Sequence, residues 1–260
     1  MKISSGLIEN CTFRDIKSIE DGDCIHVFGG RNMAGVWDDS PVRIDKCSFL
    51  NICHRAIKFQ ASDCHVYNCI INGDATHRPS AAIEVFGNRC SVEKTQVDLD
   101  YGVHALTVSG DDFGLKNCHF SVDVKKRHSE ELTKLQSDVV FCVGERCVFD
   151  GNTFHGGYIG FYAPKAKSGL VVRNNTFRAS LVRNIRLYDS ASSNMVIESN
   201  TFEGNMIPID LTGGQRTRII RNKMTMPKSY ISILGSTFDG EVLMNKTIEG
   251  TDIPVRIKGK

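Results

Sequence analysis

One short pattern recurs along the whole chain and constrains its fold more than any other feature. An aliphatic residue is followed by two or three polar residues, a Cys or small polar residue, and an apolar anchor five positions after the aliphatic. The first copies read Ile8-Glu9-Asn10-Cys11-Thr12-Phe13, Ile44-Asp45-Lys46-Cys47-Ser48-Phe49 and Val66-Tyr67-Asn68-Cys69-Ile70-Ile71. Further anchors fall at Val97, Phe120, Phe154, Phe177, Phe202, Met224 and Ile248. A second motif, apolar-x-apolar, interleaves with it at Ile25-His26-Val27, Ile57-Lys58-Phe59, Ile83-Glu84-Val85, Leu106-Thr107-Val108, Ile185-Arg186-Leu187 and Ile209-Asp210-Leu211. It recurs again at Ile231-Ser232-Ile233 and Val255-Arg256-Ile257. Each unit is too short for two helices, and its period of two marks strands. A lone unit cannot bury its apolar side, whereas stacked units bury it against the unit above and below.

The pattern therefore predicts an all-β chain: a single-stranded, right-handed parallel β-helix of about ten coils, its hand set by the bias of parallel crossovers. One domain is expected over residues 1–260, with insertions at residues 29–41 and 123–138. The position two before each anchor reads Cys11, Cys47, Cys69, Thr95, Cys118, Asn152, Asn175, Asn200 and Asn222. In a coil these residues form one internal column at a tight turn. Asn suits such a bend because it tolerates the left-handed region and bonds neighbouring backbone, and Cys fills the same space as a small hydrophobe. Cys64, Cys90 and Cys147 form a second column, and Cys24, Cys53 and Cys142 are expected to pack beside strands.

Composition narrows the function. The chain has 32 basic and 30 acidic residues, a net charge of +2, which gives no reason to expect nucleic-acid binding. No stretch of apolar residues is long enough for a membrane span, and no signal peptide is visible after Met1. The ten cysteines include no Cys-x-x-Cys pair, and no His-x-x-x-His occurs, so neither a zinc site nor any other metal or cofactor is expected. Reduced thiols imply folding in a reducing cytosol, with release outside the cell or mounting on a larger particle left open. Neither end carries an obvious cap, so the chain is expected to be part of a longer one, an oligomer subunit, or both.

Turns such as Asn152-Thr153-Phe154 and Asn175-Thr176-Phe177, with their Asn ladder, resemble the right-handed parallel β-helix of the pectin-lyase-like superfamily along essentially the whole chain. Within it, the chain is similar to bacteriophage tailspike and capsule depolymerase domains. That resemblance implies a polysaccharide partner, a homotrimer, and a substrate groove on the sheet that carries the apolar-x-apolar strands.

The outward residues of those strands form two columns. One holds His26, Lys58, Glu84, Thr107, Phe141, Gly160, Arg186, Asp210, Ser232 and Arg256; the next holds Phe28, Gln60, Phe86, Ser109, Val143, Tyr162, Tyr188 and Thr212. Rings that stack on sugar faces, beside charged groups that bond hydroxyls, are what a glycan chain requires. Phe28, Trp37, Gln60, Phe86, His104, Tyr162, Arg186 and Tyr188 are the substrate-binding candidates. The densest chemistry lies in the lower coils, at Asp21, Asp23, His26, Arg55, Lys58 and Glu84, whereas the upper coils read as a shaft. A glycoside hydrolase would use two of the carboxylates Asp21, Asp23 and Glu84. A polysaccharide lyase would use Lys58, Arg55 or His26 to take the proton beside a uronate carboxyl group. Asp-Gly-Asp-Cys at 21–24 and Arg-Ala-Ile-Lys at 55–58 are similar to parts of the pectin hydrolase series, in a different order. The competing readings are a non-catalytic shaft or polysaccharide-binding module and a uronate epimerase. In the bland alternative, Lys58 and Glu84 are a cross-strand ion pair and Asp111-Asp112 a turn former.

Overall fold

In a computed structural model the described residues are 5–16, 22–35, 37–52, 54–73, 81–100, 104–123, 137–165, 168–235 and 237–258. They form three parallel sheets of ten strands each. The first sheet starts with Gly6–Glu9, the second with Thr12–Arg14 and the third with Ile25–Phe28. Every strand pairs only with strands one coil away, as the repeat requires. No helix is present among the described residues, and none there is long and apolar enough to cross a membrane. Asp21, Cys53 and residues 124–136, which include the helical turn expected around Glu130 to Gln136, lie outside the described residues.

The anchors stack in one internal column. Phe13 lies on Phe49 with ring centroids 4.9 Å apart, and Phe177 lies between Phe154 and Phe202 at 5.0 and 5.2 Å. The last anchor differs from expectation. The register pairs Met224 with Thr247, not with Ile248, which is largely exposed.

Beside the anchors runs the expected ladder, and it continues one coil further, to Asn245. Asn175 Nδ2 donates to the Phe149 carbonyl of the coil below and to Asn200 Oδ1 of the coil above, at 2.9 and 3.0 Å. Its backbone N–H also donates to Asn200 Oδ1. Asn152, Asn200 and Asn222 repeat this arrangement. In the lower coils Cys47, Cys69 and Cys118 aim their thiols at the equivalent carbonyls, of Ile8, Ile44 and Val92. The left-handed conformation belongs to the residue before the ladder, not to the ladder residue: Asn10, Lys46, Asn68, Lys94, Asn117, Asn174, Ser199, Arg221 and Met244 have φ of 48–56°. The ladder Asn is thus selected for its two-way hydrogen bonds, which satisfy buried backbone groups at the corner.

The corner that closes the third sheet has a separate requirement. A Cβ on Gly87 would lie 1.8 Å from the Ala61 carbonyl oxygen, and one on Gly110 would lie 1.9 Å from that of Gly87. Only glycine permits this approach of successive coils. The chain leaves the third sheet here, and in the first coil the exit opens the insertion at 29–41.

All nine described cysteines are free. Burial pushes the Cys69 thiol up to about 11 and that of Cys118 to about 12, despite their backbone carbonyl contacts. Thiolate is the reactive form, so both burial and protonation protect these groups. Titration with a thiol reagent at neutral pH should leave Cys47, Cys64, Cys69, Cys90, Cys118, Cys142 and Cys147 unmodified in the folded protein, and denaturant should expose them all. Rapid native-state labelling of any of the seven would show that the interior columns open.

Candidate functional site

The outer wall of the third sheet brings the sequence candidates together. Strand register places His26 against Lys58, Lys58 against Glu84, and Glu84 against Thr107. The column continues through Phe141, Tyr162, Arg186 and Asp210. Tyr162, not Gly160, therefore fills the sixth place, and Tyr162 leaves the neighbouring column. The apolar residue of that coil that faces inward is Phe161, which pairs with Val140. Gly160 lies within the strand Ile159–Ala163, where a Cβ would meet the Asn184 carbonyl oxygen at 2.7 Å.

Asp23 is the hub of the lower cluster, and its side chain is only 3% exposed. Arg55 Nε donates to its Oδ1 at 2.5 Å, and Arg55 Nη1 reaches Glu84 Oε2 at 3.1 Å. Lys58 Nζ lies 3.9 Å from Asp23 Oδ2. The ring nitrogens of His26 and His54 lie 3.7 and 3.6 Å from the same carboxylate. His26 turns its other nitrogen toward Gln60 Oε1 at 2.6 Å. The expected Lys58–Glu84 pair is thus replaced by Arg55–Glu84 and Lys58–Asp23. His54, beside Arg55 in sequence but not among the candidates, completes the cluster.

Asp23 is enclosed by Arg55, Lys58 and two imidazoles, which hold its carboxylate in ion pairs. Glu84 shares Arg55 with it, so one guanidinium bridges the two carboxylates. Toward solvent the cluster presents His26, His54 and Glu84, with side chains 35%, 22% and 21% exposed, and Lys58 at 13%. Among the described residues no set of His, Cys, Asp and Glu is placed to hold a metal ion.

The insertion at 29–41 supplies an aromatic wall beside this cluster. Phe28 packs edge-on against His26 and Trp37, with centroids 5.8 and 6.1 Å away. Arg31 lies over the Trp37 ring at 4.5 Å, and a bridge between Arg31 and Trp37 closes the loop. Phe28 is largely exposed. Gln60 follows Phe28 one coil up in the strand register, and Phe86 stands one residue past the end of the next strand, Ala81–Val85.

His104, Tyr162, Arg186 and Tyr188 lie elsewhere, higher on the same sheet. Phe141 packs between His104 and Tyr162, at 5.4 and 5.8 Å. Arg186 lies over Tyr188 at 4.9 Å. Arg183 and Arg186 both approach Asp210, at 3.4 and 3.9 Å. The sequence reading missed Asp138, which has no exposed surface. Burial pushes its carboxyl up to about 8, against the opposing pull of the Ile159 backbone amide and the charge of Arg186. Its only sequence signal was its place directly before the buried pair Val139-Val140, at the end of an insertion. Burial also raises the Tyr162 phenol; Arg186 opposes this, and Asp138 and Tyr188 add to it. Asp111 and Asp112 instead bind Arg146 at 3.2 and 2.7 Å, away from both clusters, as turn residues do.

Three stacked parallel sheets with polar residues on one outer wall define a right-handed parallel β-solenoid. Residues 102–238, just over half of the chain, match the family described as right handed beta helix region, and the chain belongs to that family. No curated protein matches it. Among solved structures it is similar to the Streptococcus pneumoniae surface protein and adhesin PfbA, at 10% identity and a TM-score of 0.50, over 95% of this chain and 79% of that one. It is also similar to the Azotobacter vinelandii mannuronan C-5 epimerase AlgE6 A-module, at 10% identity and a TM-score of 0.40, over 92% of this chain and 86% of that one. Such distant likenesses show the fold alone.

Proposed function

We propose that the chain binds an acidic polysaccharide along the outer wall of its third sheet and cleaves it by β-elimination at the Asp23 cluster. The observation that carries this reading is the enclosure of Asp23 by Arg55, Lys58, His26 and His54, all within 4 Å. That arrangement engages the carboxylate in ion pairs and leaves the two imidazoles as the most exposed groups of the cluster, beside Glu84 and Lys58. In this reading His26 or Lys58 takes the proton from the carbon beside the uronate carboxyl group, the neighbouring C–O glycosidic bond breaks as the C=C bond forms, the departing oxygen takes that proton back from the base, and Arg55 helps to neutralise the charge that develops on the carboxyl group. Phe28 and Trp37 provide faces for neighbouring sugars. Epimerisation shares the proton-abstraction step and differs only in how the intermediate collapses.

A second reading has its own support. The same enclosure is what a structural ion network looks like, and a non-catalytic polysaccharide-binding module would need nothing more. Incubation with a panel of acidic polysaccharides distinguishes the two. The expected product carries new unsaturated uronate ends, seen by ultraviolet absorbance, and Lys58→Ala forms none while its far-UV spectrum is unchanged. New reducing ends without unsaturation would overturn elimination in favour of hydrolysis, and inverted uronate configuration without cleavage would mark an epimerase. Binding with no product would favour the module.

A further inference from the structure

The upper group on the third sheet is not used by the Asp23 cluster, and it contains buried polar atoms that make no hydrogen bond of ordinary geometry. Neither carboxyl oxygen of Asp138 has a hydrogen bond of ordinary geometry among the described residues, and the same holds for Thr107 Oγ1 and Arg186 Nε. Native proteins satisfy nearly all such atoms, and the exceptions ask for an explanation. The local charge adds to the case. Arg183 and Arg186 share the single carboxylate Asp210, so one positive charge is left over whenever Asp138 is neutral. The Arg186 side chain is 35% exposed, and Tyr162 and Tyr188 flank it with partly exposed rings.

We propose that Arg186, flanked by Tyr162 and Tyr188 and backed by Arg183, is a second subsite that binds the carboxylate of an acidic sugar, and that the buried Asp138 sets how much of its charge the ligand feels. The proposal rests on the reading that this wall takes an acidic polysaccharide. A guanidinium presents a planar fork to a carboxylate, and the tyrosine rings offer faces to the sugar. Asp138 does not touch the ligand; it is a positioning residue that acts through Arg186. With its carboxyl held at about 8 by burial, Asp138 is neutral at physiological pH and leaves the guanidinium charge to the ligand. Once ionised it competes with the ligand for that charge. The other groups that face it are His104 from the coil below, whose Nδ1 lies 3.2 Å from the Asp138 carbonyl oxygen, and Tyr162 and Arg186 from the coils above.

The test is calorimetric titration with a short galacturonate oligomer, with a neutral oligomer of equal length as control. The wild-type protein should bind the acidic oligomer and lose about tenfold in affinity between about pH 7 and about pH 9, a size usual for coupling between two sites. Asp138→Asn should bind as well at the lower pH and lose nothing at the higher. Arg186→Ala should be weaker by about tenfold at both. An unchanged alkaline loss in Asp138→Asn would overturn control by Asp138. Wild-type affinity in Arg186→Ala would overturn the subsite and leave the broader reading standing. Equal binding of the neutral oligomer, or no binding of either by the wild type, would overturn both.

Discussion

Asp138→Asn is expected to stabilise the protein by an amount that grows with pH. The carboxyl is protonated in the folded state up to about 8, whereas in the unfolded chain it ionises near the ordinary aspartate value of about 4. Between those two values the unfolded state binds fewer protons than the folded state at this position. Stability therefore falls as pH rises through the window, by about 1.4 kcal/mol per pH unit. Below about 4 both states are protonated, and the penalty vanishes. Asparagine has nearly the same shape and no charge to lose, so the variant escapes the penalty. Its amide brings donors into a site without partners, which costs about 1–3 kcal/mol at every pH. The variant should thus be no more stable than wild type at about pH 4 and more stable by a few kcal/mol at about pH 8. The difference between the two proteins isolates this residue from other acids. Asp63, Asp112 and Asp150, for example, are held below the usual carboxylate range with help from Arg89, Arg146, and Asn174 with Arg173 respectively, and they act only at lower pH. Chemical denaturation of both proteins across this range measures it. A difference that stays flat with pH would show that Asp138 is ionised in the fold.

A carboxyl that costs stability at neutral pH is a feature that function explains better than folding does. The repeat predicts which residues face inward, because burial imposes a fixed period on every coil. It placed the anchors, the Asn and Cys columns, and the alignment of His26, Lys58 and Glu84. It failed where spacing inside a coil changes. In the coil containing Ile159-Gly160-Phe161 the apolar Ile159 stands in register with Arg183 and Phe161 with Ile185, so counting from Ile159 moved Tyr162 into the wrong column. It failed again at Thr247, where a polar residue takes the anchor position and the apolar neighbour Ile248 drew the assignment. Partner choice among outward side chains was not legible either. Lys58 and Glu84 are in register, yet Arg55, from the bend before its strand, reaches Glu84 because its longer planar head spans the gap between Asp23 and Glu84. Asp138 was hidden for a different reason: nothing in the pattern distinguishes a carboxylate at the end of an insertion from a solvated turn residue.

Asp23→Ala should be the most damaging single change in the lower cluster, and it should act on stability as well as on activity. The sequence reading treats Asp23, Lys58 and Glu84 alike, as catalytic candidates whose removal abolishes activity and leaves the melting point nearly unchanged. The structure separates them. Removing the Asp23 carboxylate leaves Arg55, 10% exposed, beside Lys58 and two histidines with no anion at their centre. Breaking a buried ion pair from one side costs about 3–5 kcal/mol, mostly because the remaining charge stays buried and uncompensated. For a chain of this size that lowers the melting temperature by roughly 10 °C. Lys58→Ala removes a cation from an excess of cations, and it should leave the melting temperature within a few degrees of wild type while eliminating product formation. The double variant Asp23→Ala/Arg55→Met should recover part of the stability lost in Asp23→Ala, because it removes a buried cation that has lost one of its carboxylates, and recover none of the activity. Thermal unfolding of the three variants measures the stability side. If Asp23→Ala melts with the wild type, Arg55 is compensated by Glu84 alone and Asp23 is not the centre that holds the basic groups in place.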